Sequence, residues 1–493
     1  MVTTADSYIE RANAKIQESR AVQLALLGLI VLSAAILRFY KLDEWSFWYD
    51  EIFTINWAVN HLASLDKILG RPFPSIIWLP LSPILGAQVL NSWGVNEFTT
   101  RLIPALFGLV AIPAIYFCAR WLFGAGVGLL SAAILAVTPS HLFWSQNARF
   151  YTALMLFVML ALFAFFYAFE RNRPGFIILG YGLFYLAVSE RLTALLAFPS
   201  FLIYLLLIYL LRLEKGPGYN RRNLLLVLAP YVAFVALELF LIVATGDSFL
   251  RNVAEIFGVN RGPSPFRLAY RVVLDMGVLL SILMGIGGFY LLLTKQRAGF
   301  FLVSFALTPI LALVLLNPFM FTDERYVFMT LPAWIILAAV AMRETAVRLN
   351  HAPHGILFAL ALPLLLLVAN IFTDMRYYQS NQGHRLDWRG AFALVADRSE
   401  DGDLVATNRN SVADYYLGQE TELLDLMQPV DVVQSKQRYW LVVDDYAEWS
   451  ARDVTLWAEQ NCELKMAEQL LLERPQSLRV YLCDPERIAG QLR

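Results

Sequence analysis

Four small groups of charged residues interrupt an otherwise apolar chain, and their residue types could do chemistry together. They are Asp50-Glu51, Arg149 within WSQNARFY, Glu190-Arg191, and Asp323-Glu324-Arg325-Tyr326. Charge is costly inside a bilayer, so charged residues at the ends of apolar stretches are paired, anchored at the surface or functional. The arginine fork is always protonated and matches a phosphate with two parallel hydrogen bonds. A carboxylate nearby can take the proton of an attacking hydroxyl. At a membrane surface the two groups would hold a lipid phosphate and activate a nucleophile against the carbon attached to it. The arginines would then stabilise the charge building on the departing phosphate.

Each group also has a simpler explanation. A lone Arg149 or Arg325 would be read as snorkelling to the interface. Asp50-Glu51 fits the preference for acidic residues at a helix N-terminus, and Glu190-Arg191 fits a self-paired turn. His61, His141, His351, His354 and His384 show no ligand spacing, so no metal site is assigned, although a divalent metal requirement stays open. An enzyme and a transporter both suit charges gathered on one side. The transporter reading expects paired, broken helices in two related halves, and no such internal symmetry is visible.

The elements that must position these residues follow from hydropathy. The chain has 493 residues, 58% hydrophobic and 16% charged, with a mean hydropathy of +0.55. That leaves too little polar surface for a soluble protein of this length. Apolar runs of spanning length fall at 21–40, 99–119, 124–143, 149–169, 175–189, 191–213, 223–245, 272–294, 298–317, 327–346 and 354–373, which predicts about eleven spans. Residues 1–20 are polar, and the run that follows is too long for a cleavable signal.

One set of short loops carries Arg171, Arg173, Arg212, Lys215, Arg221, Arg222, Lys295, Arg297, Arg343 and Arg348, on the same side as Arg11, Lys15 and Arg20. The excess of basic residues makes that side cytoplasmic. An odd number of spans then puts the C-terminal part outside, with the long loops 41–98 and 246–271. All four charged groups fall on that outer side. Within the first loop, Ile52, Ile55, Val59, Leu62 and Leu69 recur at helical spacing after Trp45, Phe47, Trp48 and Tyr49. This predicts a helix lying in the outer interface.

The expected division is a membrane-embedded part at 1–376 and an extracytoplasmic α/β domain at 377–493. In the latter, DLVATN, YWLVVDD and LRVYLC alternate with helix-like stretches such as ARDVTLWAEQ. It contains no glycine-rich phosphate loop. The three cysteines, Cys118, Cys462 and Cys483, are too few for a disulfide framework, and one bridge between Cys462 and Cys483 stays open. A net charge of -1 argues against a nucleic-acid partner.

At these residues the chain resembles the GT-C superfamily of polytopic glycosyltransferases, in the branch of protein-mannosyltransferase-like and aminoarabinose-transferase-like enzymes. YDEIFT, RLIPALFGLVAIPAIYFCARWLFG, TPSHLFWSQNARFY, DERYVFMTLPAW and DWRGAFALVADRSEDGDLV stand in family order along nearly the whole chain. The resemblance implies a mainly α membrane bundle with a small C-terminal α/β domain. It also implies an enzyme that moves a hexose or pentose from a polyprenyl-phosphate carrier to a glycan, glycolipid or protein on the outer face of a bacterial inner membrane, with inversion. By position, Asp50 matches the acidic first-loop residue, a candidate catalytic base, with Glu51 beside it. Arg149 and Arg325 match candidate phosphate contacts. Tyr151, Glu324, Tyr326, Glu190 and Arg191 would support them. The alternative is a transporter or flippase of lipid-linked sugar. Three departures bear on the acceptor and on any metal: GRPFPSIIW replaces a His/Lys-Pro-Pro-Leu segment, Asn147 replaces a glutamate before Arg149, and SERLT replaces a Thr-His pair.

Overall fold

The computed structural model describes residues 19–71, 78–246, 248, 251, 264–349, 355–379, 382–418, 423–426, 437–447, 451–470 and 476–484. The polar tail 1–18, part of GRPFPSIIW and most of the 246–271 loop lie outside the described residues.

The first span is α1 (Arg20–Phe39), opened by Ser19, whose side chain accepts from the Val22 amide. Three helices too short to cross a bilayer follow: α2 (Tyr49–Leu62), α3 (Leu65–Leu69) and α4 (Leu81–Trp93). Next comes α5 (Glu97–Phe123), started by a reciprocal cap between Asn96 and Thr99; both otherwise unsatisfied amides are thereby paired. Then come α6 (Ala125–Ala136) and α7 (Pro139–Ser145), which meet at 61° where Pro139 opens the second piece. The bundle continues through α8 (Tyr151–Arg171), α9 (Gly175–Glu190), a 3-10 turn at Leu192–Ala197, α10 (Ser200–Leu210) and α11 (Arg221–Thr245). It closes with α12 (Pro265–Met276), α13 (Val278–Leu293), α14 (Arg297–Leu316), a 3-10 turn at Glu324–Thr330, α15 (Leu331–Leu349) and α16 (Gly355–Gln379).

Among the described residues, eight helical stretches are long and apolar enough to cross a membrane, ten if each bent pair forms one span, and α9 is a shorter apolar helix. The chain is a multi-pass membrane protein of about the expected span number. Two expected spans differ, and the first is the run at 124–143, bent between α6 and α7. The run at 272–294 breaks by 96° at Gly277, whose φ of +95° suits glycine. Only α13 is continuously apolar there, since α12 carries Arg267, Arg271 and Asp275. α8 and the Glu324–Leu349 stretch are almost wholly buried, whereas little of α11 is. The first two are therefore the central posts, and α11 faces outward. Close packing on the second post depends on Gly287, where a Cβ would collide with the Leu337 carbonyl.

The C-terminal part holds α17 (Trp388–Arg398), β1 (Leu404–Thr407), α18 (Asn410–Leu417), β2 (Leu423–Asp425), β3 (Tyr439–Asp444), α19 (Arg452–Asn461), β4 (Glu463–Leu470) and β5 (Gln476–Cys483). Strand order is β2-β1-β3-β5-β4. The first three strands are parallel, and β5 runs antiparallel to both β3 and β4. Cys462 and Cys483 form a disulfide that ties the end of α19 to the end of β5.

The amphipathic helix α2 does not simply lie on lipid. Ile52 and Ile55 are buried in one cluster with Trp388, Ala391 and Phe392 of α17, and with Trp440 of the sheet. Ala58 and Leu62 pack on Ala87 of α4. The α/β unit and α4 offer apolar surface of their own, so Ile52, Ile55 and Leu62 are covered by protein, while Leu69, on α3, stays exposed. Polar contacts fix the junction. Tyr416 accepts from the Phe47 amide at 2.7 Å and donates to Glu97 at 3.0 Å; Arg389 pairs with Glu97 at 2.6 Å.

Candidate active site

Asp50 stands in the first turn of α2, where Trp48 gives an extended entry. Residues distant in sequence meet there. Arg325 Nη1 lies 3.2 Å and Arg149 Nη2 3.8 Å from the same oxygen, Asp50 Oδ2. Arg149 Nη1 also donates to the Asp50 carbonyl at 3.0 Å and to Thr54 Oγ1 at 2.7 Å. Among the described residues Asp50 Oδ1 has no hydrogen bond, and the Asp50 side chain remains 24% exposed. One oxygen is thus oriented by two cations while the other is open to an incoming hydroxyl. The Arg149 side chain is 90% buried, and its Nε is buried and unpaired. An arginine so enclosed retains donors for an anion.

The supporting residues divide. Arg191 and Arg149 both lie against the Phe150 ring, at 5.4 Å and 4.9 Å from its centroid. Arg191 also hydrogen-bonds Tyr326. It therefore joins the basic group and does not form a self-contained turn pair. Its neighbour Glu190 turns away and accepts from the amide and hydroxyl of Ser82. That contact caps α4. Asp323 caps the 3-10 turn and lies 3.5 Å from Arg325 Nε. Glu324 occupies the first turn of the same element. Tyr151 and Tyr326 are buried behind the arginines, at 2% and 6% exposure.

Glu51 is placed quite differently from Asp50. It is fully buried and receives Arg101 Nε at 2.9 Å, Arg101 Nη2 at 2.8 Å and the Ala148 amide at 2.8 Å. Arg385 Nε lies 3.6 Å away. Burial pushes this carboxyl upward, but Arg101, Arg385 and the Ala148 amide outweigh it and hold the group below its ordinary range. Arg101 also donates to the carbonyls of Leu42, Trp45 and Ser46, and Arg385 donates to those of Gln146 and Gly383. Glu51 thereby knots together the loop before α2, the loop carrying Arg149, and the entry to the α/β unit. Arg101 and Arg385 are residues that reading the sequence missed. Arg101 stands in the apolar motif RLIPALFGL and was visible as a charge at a span end. Arg385 carried no pattern of its own.

An open cleft lies one helical turn along α2 from Asp50. Thr54, Ser82, Gly86, Thr100, Pro104 and Arg149 are among its lining residues. A Cβ built on Gly86 meets no atom within 4 Å, so a side chain can start from that position into the cleft. We expect Gly86→Phe to fill the cleft and lower turnover about 10²-fold through misplacement of whatever occupies it. Unchanged turnover in a folded Gly86→Phe protein would show that the cleft is not used. Among the described residues no group of three or more His, Cys, Asp or Glu side chains is placed to hold a metal ion. Asn147, at the position where a glutamate was expected from the family, accepts from Trp48 Nε1 at 3.3 Å.

Residues 80–243 match the family of dolichyl-phosphate-mannose-protein mannosyltransferases. No curated protein matches the chain significantly. Among solved structures, ArnT from Cupriavidus metallidurans in the apo state is similar over 94% of this chain and 98% of that one, at 14% identity and a TM-score of 0.55. The same figures hold for ArnT bound to undecaprenyl phosphate. The Archaeoglobus fulgidus oligosaccharyltransferase in the apo form is similar over 90% of this chain and 73% of that one, at 14% identity and a TM-score of 0.61.

Proposed function

We propose, on the premise that this chain has the polytopic fold of the GT-C glycosyltransferases, that it transfers a sugar from a polyprenyl-phosphate carrier to an acceptor hydroxyl at the outer membrane face. One observation carries the reading. Arg149 and Arg325 converge on one oxygen of Asp50 and leave the other open. The acceptor hydroxyl attacks the anomeric carbon from the side facing Asp50, which takes its proton as the new glycosidic oxygen bond forms. The bond from that carbon to the phosphate oxygen breaks with its electron pair. Arg149, Arg325 and Arg191 stabilise the departing polyprenyl phosphate. A single displacement inverts the anomeric configuration. Tyr151 and Tyr326 back the arginines, and Glu51 positions the loops on either side of Asp50.

Two features support an outer-face site in a cell envelope. The disulfide Cys462–Cys483 suits an oxidising compartment. The Glu170–Arg297 pair, at 2.8 Å, joins the α8 and α14 ends near the basic loops, at the opposite end of α8 from Arg149. Both features support a reading with the N-terminus in the cytoplasm and the α/β unit outside.

The test is reconstitution of the full-length protein in liposomes with a polyprenyl-phosphate sugar and an envelope extract as acceptor. Release of free polyprenyl phosphate together with a glycosylated, anomerically inverted product is the expected result. Movement of intact donor across the bilayer without that release would instead make the protein a flippase and overturn the reading.

A further inference from the structure

The residues that follow the carboxyl ends of β1 and β3 meet at the first residue of α2, Tyr49. Arg409 follows β1, and its guanidinium lies 5.2 Å from the ring of Tyr49 and 5.0 Å from that of Tyr446, so one cation bridges two aromatic rings. Tyr49 immediately precedes Asp50 in α2, whereas Tyr446 follows β3 in the α/β unit. Asp444 fixes the arginine through a 2.7 Å bond to its Nε and accepts from Asn408 at 2.5 Å. In α/β sheets the crevice beyond the carboxyl ends of parallel strands, where strand connections diverge, is where ligands bind. Here β1 has β2 on one side and β3 on the other.

A mere fastening between the two parts would cover these rings. The fastening is elsewhere, at Tyr416 with Phe47 and Glu97. Tyr49 and Tyr446 stay 42% and 50% exposed. The charge of Arg409 is compensated by Asp444, so the surface offers no net attraction for an anion. It offers two aromatic faces and a fixed set of polar groups between them. Aromatic faces carry negative charge density and pack against weakly positive C–H groups. A sugar ring supplies such C–H groups on its faces and hydroxyls around its rim.

We propose that Tyr49, Arg409 and Tyr446, held by Asp444, form an acceptor subsite that stacks a saccharide ring beside Asp50. The inference rests on the transferase reading and gives its acceptor a chemical class: a glycan or glycolipid, not an unmodified polypeptide. The α/β unit then contributes one wall of the binding site, and the membrane part the other.

The test places the photocrosslinker p-benzoylphenylalanine at Tyr446, at Tyr49 and, as a control, at the exposed Leu456 of α19, in cells producing the full-length protein. Ultraviolet adducts are digested and analysed by mass spectrometry. Saccharide-bearing adducts at both 446 and 49, enriched about tenfold over 456, are expected for a contact of roughly 1.4 kcal/mol. Polypeptide adducts at 446 and 49, or no enrichment over 456, overturn the proposal. Donor turnover by the unmodified protein is measured on the same membranes. A saccharide adduct without release of polyprenyl phosphate would leave the subsite standing and remove the transferase reading, so the two failures are distinct.

Discussion

Asp50→Asn is expected to lower sugar transfer by roughly 10²–10⁴-fold, the usual contribution of a positioned general base, with membrane insertion unchanged. The substitution keeps the shape of the side chain and removes only its charge and basicity. It also frees Arg149 and Arg325 from the oxygen that both approach. Binding of the carrier phosphate should therefore be no weaker in the variant, and the loss should appear in kcat. A variant that turns over like wild type would remove Asp50 as the base. A variant with intact kcat but a higher donor KM would make Asp50 an orienting group for the arginines.

The second large effect concerns stability. Glu51→Gln leaves Arg101 fully buried and Arg385 nearly so without the charge that both face. Removing one partner of a buried ion pair costs about 3–5 kcal/mol. Thermal unfolding of the detergent-solubilised protein should show a Tm lowered by several degrees, whereas Glu44→Gln, in the exposed Lys41–Glu44 pair, should change little. The difference between wild type and Glu51→Gln should also depend on pH in a definite sense. The folded protein holds Glu51 below its ordinary value of 4.5. Its stabilisation is complete above that value and disappears as pH falls through the lowered one, so the two curves converge on acidification. His384 stands at the same junction, pushed down to about 4 by burial and by Arg385 and Arg376. Its protonation in the unfolded chain below about 6.5 lowers the stability of wild type and variant together, so it does not account for the difference between them. Equal Tm values at pH 7 would mean that Arg101 and Arg385 are held adequately by the backbone carbonyls alone.

The general architecture was legible because the bilayer imposes a strong rule. A long apolar run has few outcomes in lipid other than a helix, so most spans could be read from hydropathy. The deviations are local. Gly277 and Pro139 bend runs that hydropathy treats as continuous. Asp50, Arg149 and Arg325 stood out because each is a charge at the edge of an apolar run on one predicted side, and the structure brings those three together. Pairing was not legible. Arg101 lies 50 and Arg385 lies 334 residues from Glu51 in sequence, and no local pattern announces a contact made only in the folded state. Glu190 looked like the partner of Arg191, but Ser82, over a hundred residues away, offers it an amide and a hydroxyl at once. The stripe on α2 was correctly apolar. Hydropathy cannot say whether lipid or protein will cover it.

The strand order has a consequence for biosynthesis. β5 is made after β1 to β4, yet it sits inside the sheet, hydrogen-bonded to β3 on one flank and β4 on the other. Until the ribosome has passed Gln476, the nascent α/β unit consists of a β2-β1-β3 half and a lone β4 with no strand to join them. Each piece presents an unpaired edge, the kind of surface on which chaperones and aggregates both act. A chain truncated just before β5 would keep its membrane helices and lose the closed sheet. Such a product should be inserted normally and then degraded, because its sheet stays open at the β3 and β4 edges.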